Sequence, residues 1–236
     1  MKIYGAGSLE DIKRCDELGA VGILTNPQGF DQYFGGKMGL AEITEAIVDV
    51  TNLPTFIQIH GASSKDLVAR AKELHEISPQ VGFKIIADAK GFPAIRHLQQ
   101  LGIKCIATTL FSISQAAVAA SVGAFGICPF VSRADAIGMD PMQTISVIRK
   151  SYNRLKLPPE IIAVSLKGLP DVELAISAGA DAVGMSFPLL EEMMQHPLTS
   201  KAEALFAKNW QNVKGEDISY LQQAMHVEGI AEDSVH

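Results

Sequence analysis

The chain has 236 residues, with 20 Lys and Arg against 26 Asp and Glu, a net charge of −6, 47% hydrophobic residues and 19% charged ones. That is enough apolar material for a sizeable core within one domain, and it excludes a disordered chain. The acidic balance, without any Lys/Arg-rich run, excludes a surface that holds polyanions by charge, so no nucleic-acid partner is expected.

No stretch approaches the ~20 apolar residues of a membrane helix, so no membrane partner is expected. The opening MKIYGAGSLED carries no apolar leader core, which predicts a cytoplasmic protein. The three cysteines, Cys15, Cys105 and Cys128, are odd in number and widely spaced. They read as reduced thiols packed as small hydrophobes, not as a disulfide framework or a zinc site.

Taken in chain order, apolar runs near 2–6, 20–25, 55–60, 81–87, 104–109, 124–130, 160–166 and 181–186 are rich in Val, Ile and Ala. Such runs resemble buried parallel strands more than half-exposed ones. Several follow a glycine of the kind that closes a helix: Gly19, Gly102, Gly123 and Gly179. Amphipathic segments such as 63–78 and 112–123 lie between them. Eight alternating units predict an α/β fold, a (β/α)8 barrel. A doubly wound open sheet is the alternative, weakened because no glycine-rich dinucleotide fingerprint follows any strand. Residues 198–223 predict one or two further helices, and a helix that carries the lone Trp210 is suited to packing on a neighbouring subunit. The expected organisation is one barrel domain over 1–223, C-terminal helices included, and a flexible tail over 224–236.

The fourth run, VGFKIIAD, poses the chemical question. Alternation places Gly82, Lys84 and Ile86 on one face and Val81, Phe83, Ile85 and Ala87 on the other. The second face is uniformly apolar and suits the helix layer, so Lys84 points into the barrel, with Gly82 leaving room beneath it. Active sites of such barrels lie at the C-terminal ends of the strands. Polar residues gather there on other strands too: Thr25 and Asn26, Gln58, Thr108 and Ser165. Each can also serve only to satisfy backbone groups. His60 reads as a supporting loop residue, and Tyr4, Met185, Met193 and Met194 as packing. A lysine in an apolar pocket loses affinity for its proton, and the neutral amine attacks a carbonyl to form a Schiff base. That chemistry needs no metal, and no metal-ligating spacing is present.

The ordered set LTNPQ (24–28), FIQIHG (56–61), VGFKIIA (81–87), GIKCIATTLFSISQA (102–116), GICPFVSRAD (126–135) and AVSLKG (163–168) resembles the small transaldolase family, in particular its fructose-6-phosphate aldolase branch. The resemblance covers about residues 1–212. It implies a class I aldolase or transaldolase that acts on a sugar or sugar phosphate with a dihydroxyacetone-type donor, without metal or cofactor. It implies Lys84 as the Schiff-base nucleophile, Gln58 and Thr108 as holders of the catalytic water, and Thr25 and Asn26 near the donor hydroxyls. Phe130 would line the substrate site, and Arg133 and Ser165, with Lys167 adding charge, would bind a terminal anion. A homo-oligomer, a pentamer or a decamer of two pentamers with the C-terminal helix exchanged, is also implied.

The chain departs from the family in three places. Ala6 stands where the family has an aspartate at the end of the first strand. Phe130 replaces the tyrosine of the aldolase branch, while Gln58 is aldolase-like. KIIADAKG replaces a proline-containing stretch after the lysine, so Asp88 and Lys90 offer new groups near Lys84. Two other readings therefore stand beside the first: a related lyase with a different substrate, and a non-catalytic sugar-phosphate binder.

Overall fold

The computed structural model describes residues 1–210 and 212–213. Eight strands, β1 (Lys2–Ala6), β2 (Gly22–Leu24), β3 (Thr55–Gln58), β4 (Val81–Ile86), β5 (Cys105–Leu110), β6 (Gly126–Pro129), β7 (Glu160–Ala163) and β8 (Ala182–Ser186), pair in parallel and close β1 onto β8. Around them run α1 (Leu9–Glu17), α2 (Pro27–Phe34), α3 (Leu40–Val48), α4 (Ser64–His75), α5 (Gly91–Gln100), α6 (Ile113–Ser121), α7 (Val131–Asp135), α8 (Pro141–Leu155) and α9 (Leu169–Ala178). The α10 helix follows at Phe187–Met193 and α11 at Pro197–Trp210. The closed parallel barrel is the one the alternation predicts. The chain divides after Leu190 into two compact units, and the barrel lies in the first. In the second, α11 accounts for part of the helix expected over 198–223. The expectations for 214–223 and for a tail over 224–236 lie outside the described residues.

Local chemistry starts the helices. Ser8, Ser63 and Ser112 each cap a helix, with the reciprocal bond returned by Asp11, Asp66 and Gln115. Each pair satisfies two backbone amides that the first helical turn would otherwise leave free.

Strand residues separate into two layers. Tyr4, Leu24, Phe56, Ile106, Cys128 and Ile162 form the interior cluster. Phe83 and Ile85 are fully buried between strand and helix layers, as their face of β4 requires. A side chain at Gly82 would collide with the Phe56 ring and the Lys104 carbonyl, so the room at this glycine is filled by Phe56 rather than left for Lys84. Phe56 in turn stacks on Phe125 at 5.5 Å. Cys15, Cys105 and Cys128 are all buried free thiols. Met185 is buried, but Met194 is exposed, so core packing does not explain that methionine.

Tyr4 does more than pack. Its hydroxyl donates to Glu160 Oε2 at 2.6 Å, and Lys2 Nζ lies 2.7 Å from the other oxygen. Lys2 and Glu160 begin their strands, so this trio closes the barrel end opposite the predicted site. A buried carboxylate held by a cation and a hydroxyl avoids the penalty of a lone one.

The early ends of β2 and β7, short of their apolar runs, have local causes. Asn26 leaves the ladder to cap α2, its Oδ1 accepting from the Gly29 amide at 2.8 Å, and Pro27 begins that helix. Ser165 takes φ +61°, a left-handed conformation that turns the chain out of β7. Among the described residues, no helix is long and apolar enough to cross a membrane.

Candidate active site

A cavity of about 350 Å3 opens where the C-terminal ends of β1, β2, β7 and β8 meet α2, and Lys84 of β4 lies in its wall. The lysine is 5% exposed, and its Nζ donates to the Thr25 carbonyl at 2.9 Å. No carboxylate pairs with it among the described residues. Burial therefore lowers its pKa from the ordinary 10.5, opposed by the nearby Cys128 sulfur. Burial also pushes the Cys128 thiol up to about 11, so at neutral pH it is uncharged and supplies no counter-ion. A lysine held in this way favours its neutral amine.

The carboxylates nearest the ends of β1 and β4 in sequence are occupied elsewhere. Asp88 does not serve as the partner of Lys84 left open by the sequence. Its Oδ1 accepts from the amides of Lys90 and Gly91 at 3.1 and 2.7 Å and thereby caps α5. The Lys90 ammonium donates to the Gly61 carbonyl at 3.0 Å. Asp11, which follows Ala6 and Gly7, accepts from the Ser8 amide at 2.9 Å as part of the α1 cap. Ala6 lines the cavity without a carboxylate in its stead.

Of the residues singled out from sequence, Thr25, Asn26, Lys84 and Ser165 line this cavity together. The Thr25 hydroxyl donates to the Phe56 carbonyl at 3.3 Å and accepts from the Gln58 amide at 2.9 Å. It thus extends the β2–β3 ladder one residue past the end of β2. Gln58 is half-buried and lies beside Lys84 in the β3–β4 register. Thr108 is fully buried, and its Oγ1 has no aligned protein partner, although it lies against the Cys128 thiol. The β5–β6 register shifts between Ala107 and Leu110, and Thr109 takes φ +60°. A β-branched residue in that conformation is strained, and such strain together with a bulge is common beside active sites.

Gln58, Thr108, Phe130, Arg133, Lys167 and His60 do not line the cavity, whereas Ser165 does. Arg133 is exposed and sits over the Phe130 ring at 5.1 Å. Phe130 meets Phe111 edge-on at 5.6 Å. Ser165 shares a 2.9 Å hydroxyl contact with Ser132. Lys167 is exposed, and its backbone amide donates to Asp171. His60 is exposed, 3.3 Å from Arg70. Among the described residues, no three His, Cys, Asp or Glu side chains gather as a metal site.

Sequence reasoning passed over two contributors. The PQGFDQYF segment that forms α2 supplies more of the cavity wall than any strand does, and Ser186 closes it beside Ala6. The signal available was the spacing of Gln28 and Gln32, which are four residues apart and so share one side of a helix.

The chain matches the sequence profile of "Transaldolase/Fructose-6-phosphate aldolase" over residues 7–235. It is 32% identical over 215 residues to a protein of Thermoplasma volcanium named "Probable transaldolase", covering 90% of this chain and 96% of that one. It is 33% identical over 218 residues to a protein of the same name from Moorella thermoacetica, covering 92% and 100%. The flavin-binding domain of baker's yeast flavocytochrome b2 superposes with a TM-score of 0.57 at 14% identity, over 80% of this chain and 57% of that one, a likeness of fold alone.

Proposed function

Since the chain belongs to the transaldolase/fructose-6-phosphate aldolase family, we propose that it is a class I enzyme that makes and breaks a C–C bond of a ketose through a Schiff base on Lys84. One observation carries this reading: Lys84 is buried at a cavity on the catalytic end of the barrel, with a carbonyl as its hydrogen-bond partner and, among the described residues, no carboxylate. Such an amine is neutral more readily than a surface lysine and is a nucleophile.

In this reading Lys84 Nζ attacks the ketone carbon, and the resulting carbinolamine loses water to give an iminium. The C–C bond beyond the adjacent carbon breaks, and its electron pair flows into the iminium to leave an enamine. The departing carbon becomes an aldehyde as its hydroxyl gives up a proton. A water held by Gln58 and Thr108 is the acceptor, since among the described residues no carboxylate lines the cavity. Protonation and hydrolysis of the enamine complete an aldolase cycle, whereas its attack on a second aldehyde, followed by hydrolysis of the new iminium, completes a transaldolase cycle. Thr25 and Asn26 lie near the donor half. Where a substrate carries a terminal anion, Ser165, Arg133 and Lys167 are the groups to meet it, Arg133 through its two-pronged guanidinium. The proposed setting is a cytoplasmic homo-oligomer, a pentamer or decamer.

The test is borohydride reduction of the protein incubated with dihydroxyacetone, read by peptide mass spectrometry. The adduct is expected on the peptide that contains Lys84 and is lost in Lys84→Arg. Absence of an adduct, or an adduct on another lysine, overturns the proposal.

A further inference from the structure

Three of the eight residues of α2 are aromatic, yet none of the helix is buried. The helix is held at its ends instead, by the Asn26 cap and by Gly35 in the left-handed conformation with φ +57°. Glycine reaches that conformation at little cost and lets the chain turn away sharply. Held in this way, α2 turns Gln28, Gln32 and Tyr33 onto the cavity. Gln28 and Gln32 are four residues apart and lie on one side of the helix. None of these three side chains hydrogen-bonds the protein among the described residues, and neither does Ser186 at the end of β8, in register with Ala6.

The charge pattern of the wall narrows what these groups bind. Among the described residues, Lys84 is the one charged side chain lining the cavity, and no guanidinium or carboxylate shares the wall with it. Phosphate is bound by charge-assisted donors. Amide and hydroxyl side chains instead exchange donor and acceptor roles with substrate hydroxyls. The cavity runs from Lys84 toward α2, whereas Arg133 and Lys167 lie outside its lining.

We infer that α2 is a specificity element, with Gln28, Gln32 and Tyr33 binding the hydroxyls of an uncharged polyhydroxy chain attached to the carbonyl carbon held on Lys84. The enzyme accordingly prefers an unphosphorylated hydroxyaldehyde acceptor to its phosphate ester. The inference rests on the Schiff-base reading above, and the experiment separates the two.

Dihydroxyacetone serves as donor, with glyceraldehyde or glyceraldehyde 3-phosphate as acceptor, and kcat/KM is measured for each. Wild-type protein is expected to favour glyceraldehyde. Gln28→Ala combined with Gln32→Ala keeps good helix formers on an exposed surface. The pair is expected to lower kcat/KM for glyceraldehyde roughly 10- to 100-fold, chiefly through KM, as two neutral hydrogen bonds are lost. Gln32→Arg adds a guanidinium to the same wall and is expected to raise kcat/KM for the phosphorylated acceptor, a gain that misfolding does not produce. A wild-type preference for the phosphate ester, or an alanine pair that matches wild type on glyceraldehyde, overturns the assignment of α2 while leaving Lys84 in its role. Failure of wild-type protein to trap dihydroxyacetone with borohydride overturns the Schiff-base reading, and this inference with it.

Discussion

Replacing Thr25 by valine removes a single hydroxyl from the seam between β2 and β3. That hydroxyl accepts from the Gln58 amide at 2.9 Å and donates to the Phe56 carbonyl at 3.3 Å. The Phe56 carbonyl keeps a second donor, the Thr25 amide at 3.1 Å. The substitution therefore orphans one partly buried N–H and deletes one long bond, a cost of about 2 kcal/mol. For a chain of this length that lowers Tm by roughly 4–8 °C. The same seam carries the carbonyl that holds Lys84 and the backbone of Gln58, so kcat is expected to fall together with Tm. Differential scanning calorimetry and steady-state kinetics read both, and Thr25→Ser, which keeps the hydroxyl, is the control. If the valine variant melts within 1 °C or so of wild type, the ladder extension contributes nothing and the reasoning fails.

The lowered pKa of Lys84 predicts that the rate of adduct formation with dihydroxyacetone rises with pH and levels off at a midpoint below 10.5, since the neutral amine is the reactive form; rapid-quench borohydride trapping across pH measures it, and a midpoint at or above 10.5 contradicts the burial argument. The same shift bears on stability. A folded pKa below the unfolded one means that the unfolded chain binds more protons between the two values, so this group destabilises the fold at neutral pH and less as pH rises through that window. Lys84→Met is expected to raise Tm at pH 7, with the advantage over wild type shrinking towards pH 10, as followed by thermal melts; a variant less stable than wild type at pH 7 refutes it. Ala6→Asp places a carboxylate on the wall that holds Lys84 and is expected to increase cleavage of fructose 6-phosphate by roughly 100-fold or more, the scale of one added general base; no gain in a coupled assay would show that the alanine does not set substrate choice.

Much of the barrel was legible because its signals are periodic. Alternation along β4 identified Lys84 as the inward residue, and glycines that close helices marked the starts of following strands. What escaped depends on local geometry that alternation does not encode. The ends of β2 and β7 are set by the Asn26 cap and by the left-handed Ser165, not by where the apolar runs stop. Asp88 looked like company for Lys84 because it is near in sequence, but two backbone amides at the start of α5 claim its carboxylate. Tyr4 read as packing because its partner, Glu160, lies 156 residues away. The polar wall of α2 stayed hidden because PQGFDQYF has the pattern of an ordinary surface helix. Only its anchoring between Asn26 and Gly35 shows that the surface it covers is the cavity.

The central claim is a covalent bond between Lys84 and the carbonyl carbon of a ketose. A crystal of the protein soaked with dihydroxyacetone and reduced in place tests it most directly. Continuous density from Lys84 Nζ to the substrate carbon, with the Thr25 contact broken or lengthened, is the predicted result. An intact Lys84–Thr25 hydrogen bond with dihydroxyacetone bound non-covalently, or no dihydroxyacetone in the cavity, contradicts it.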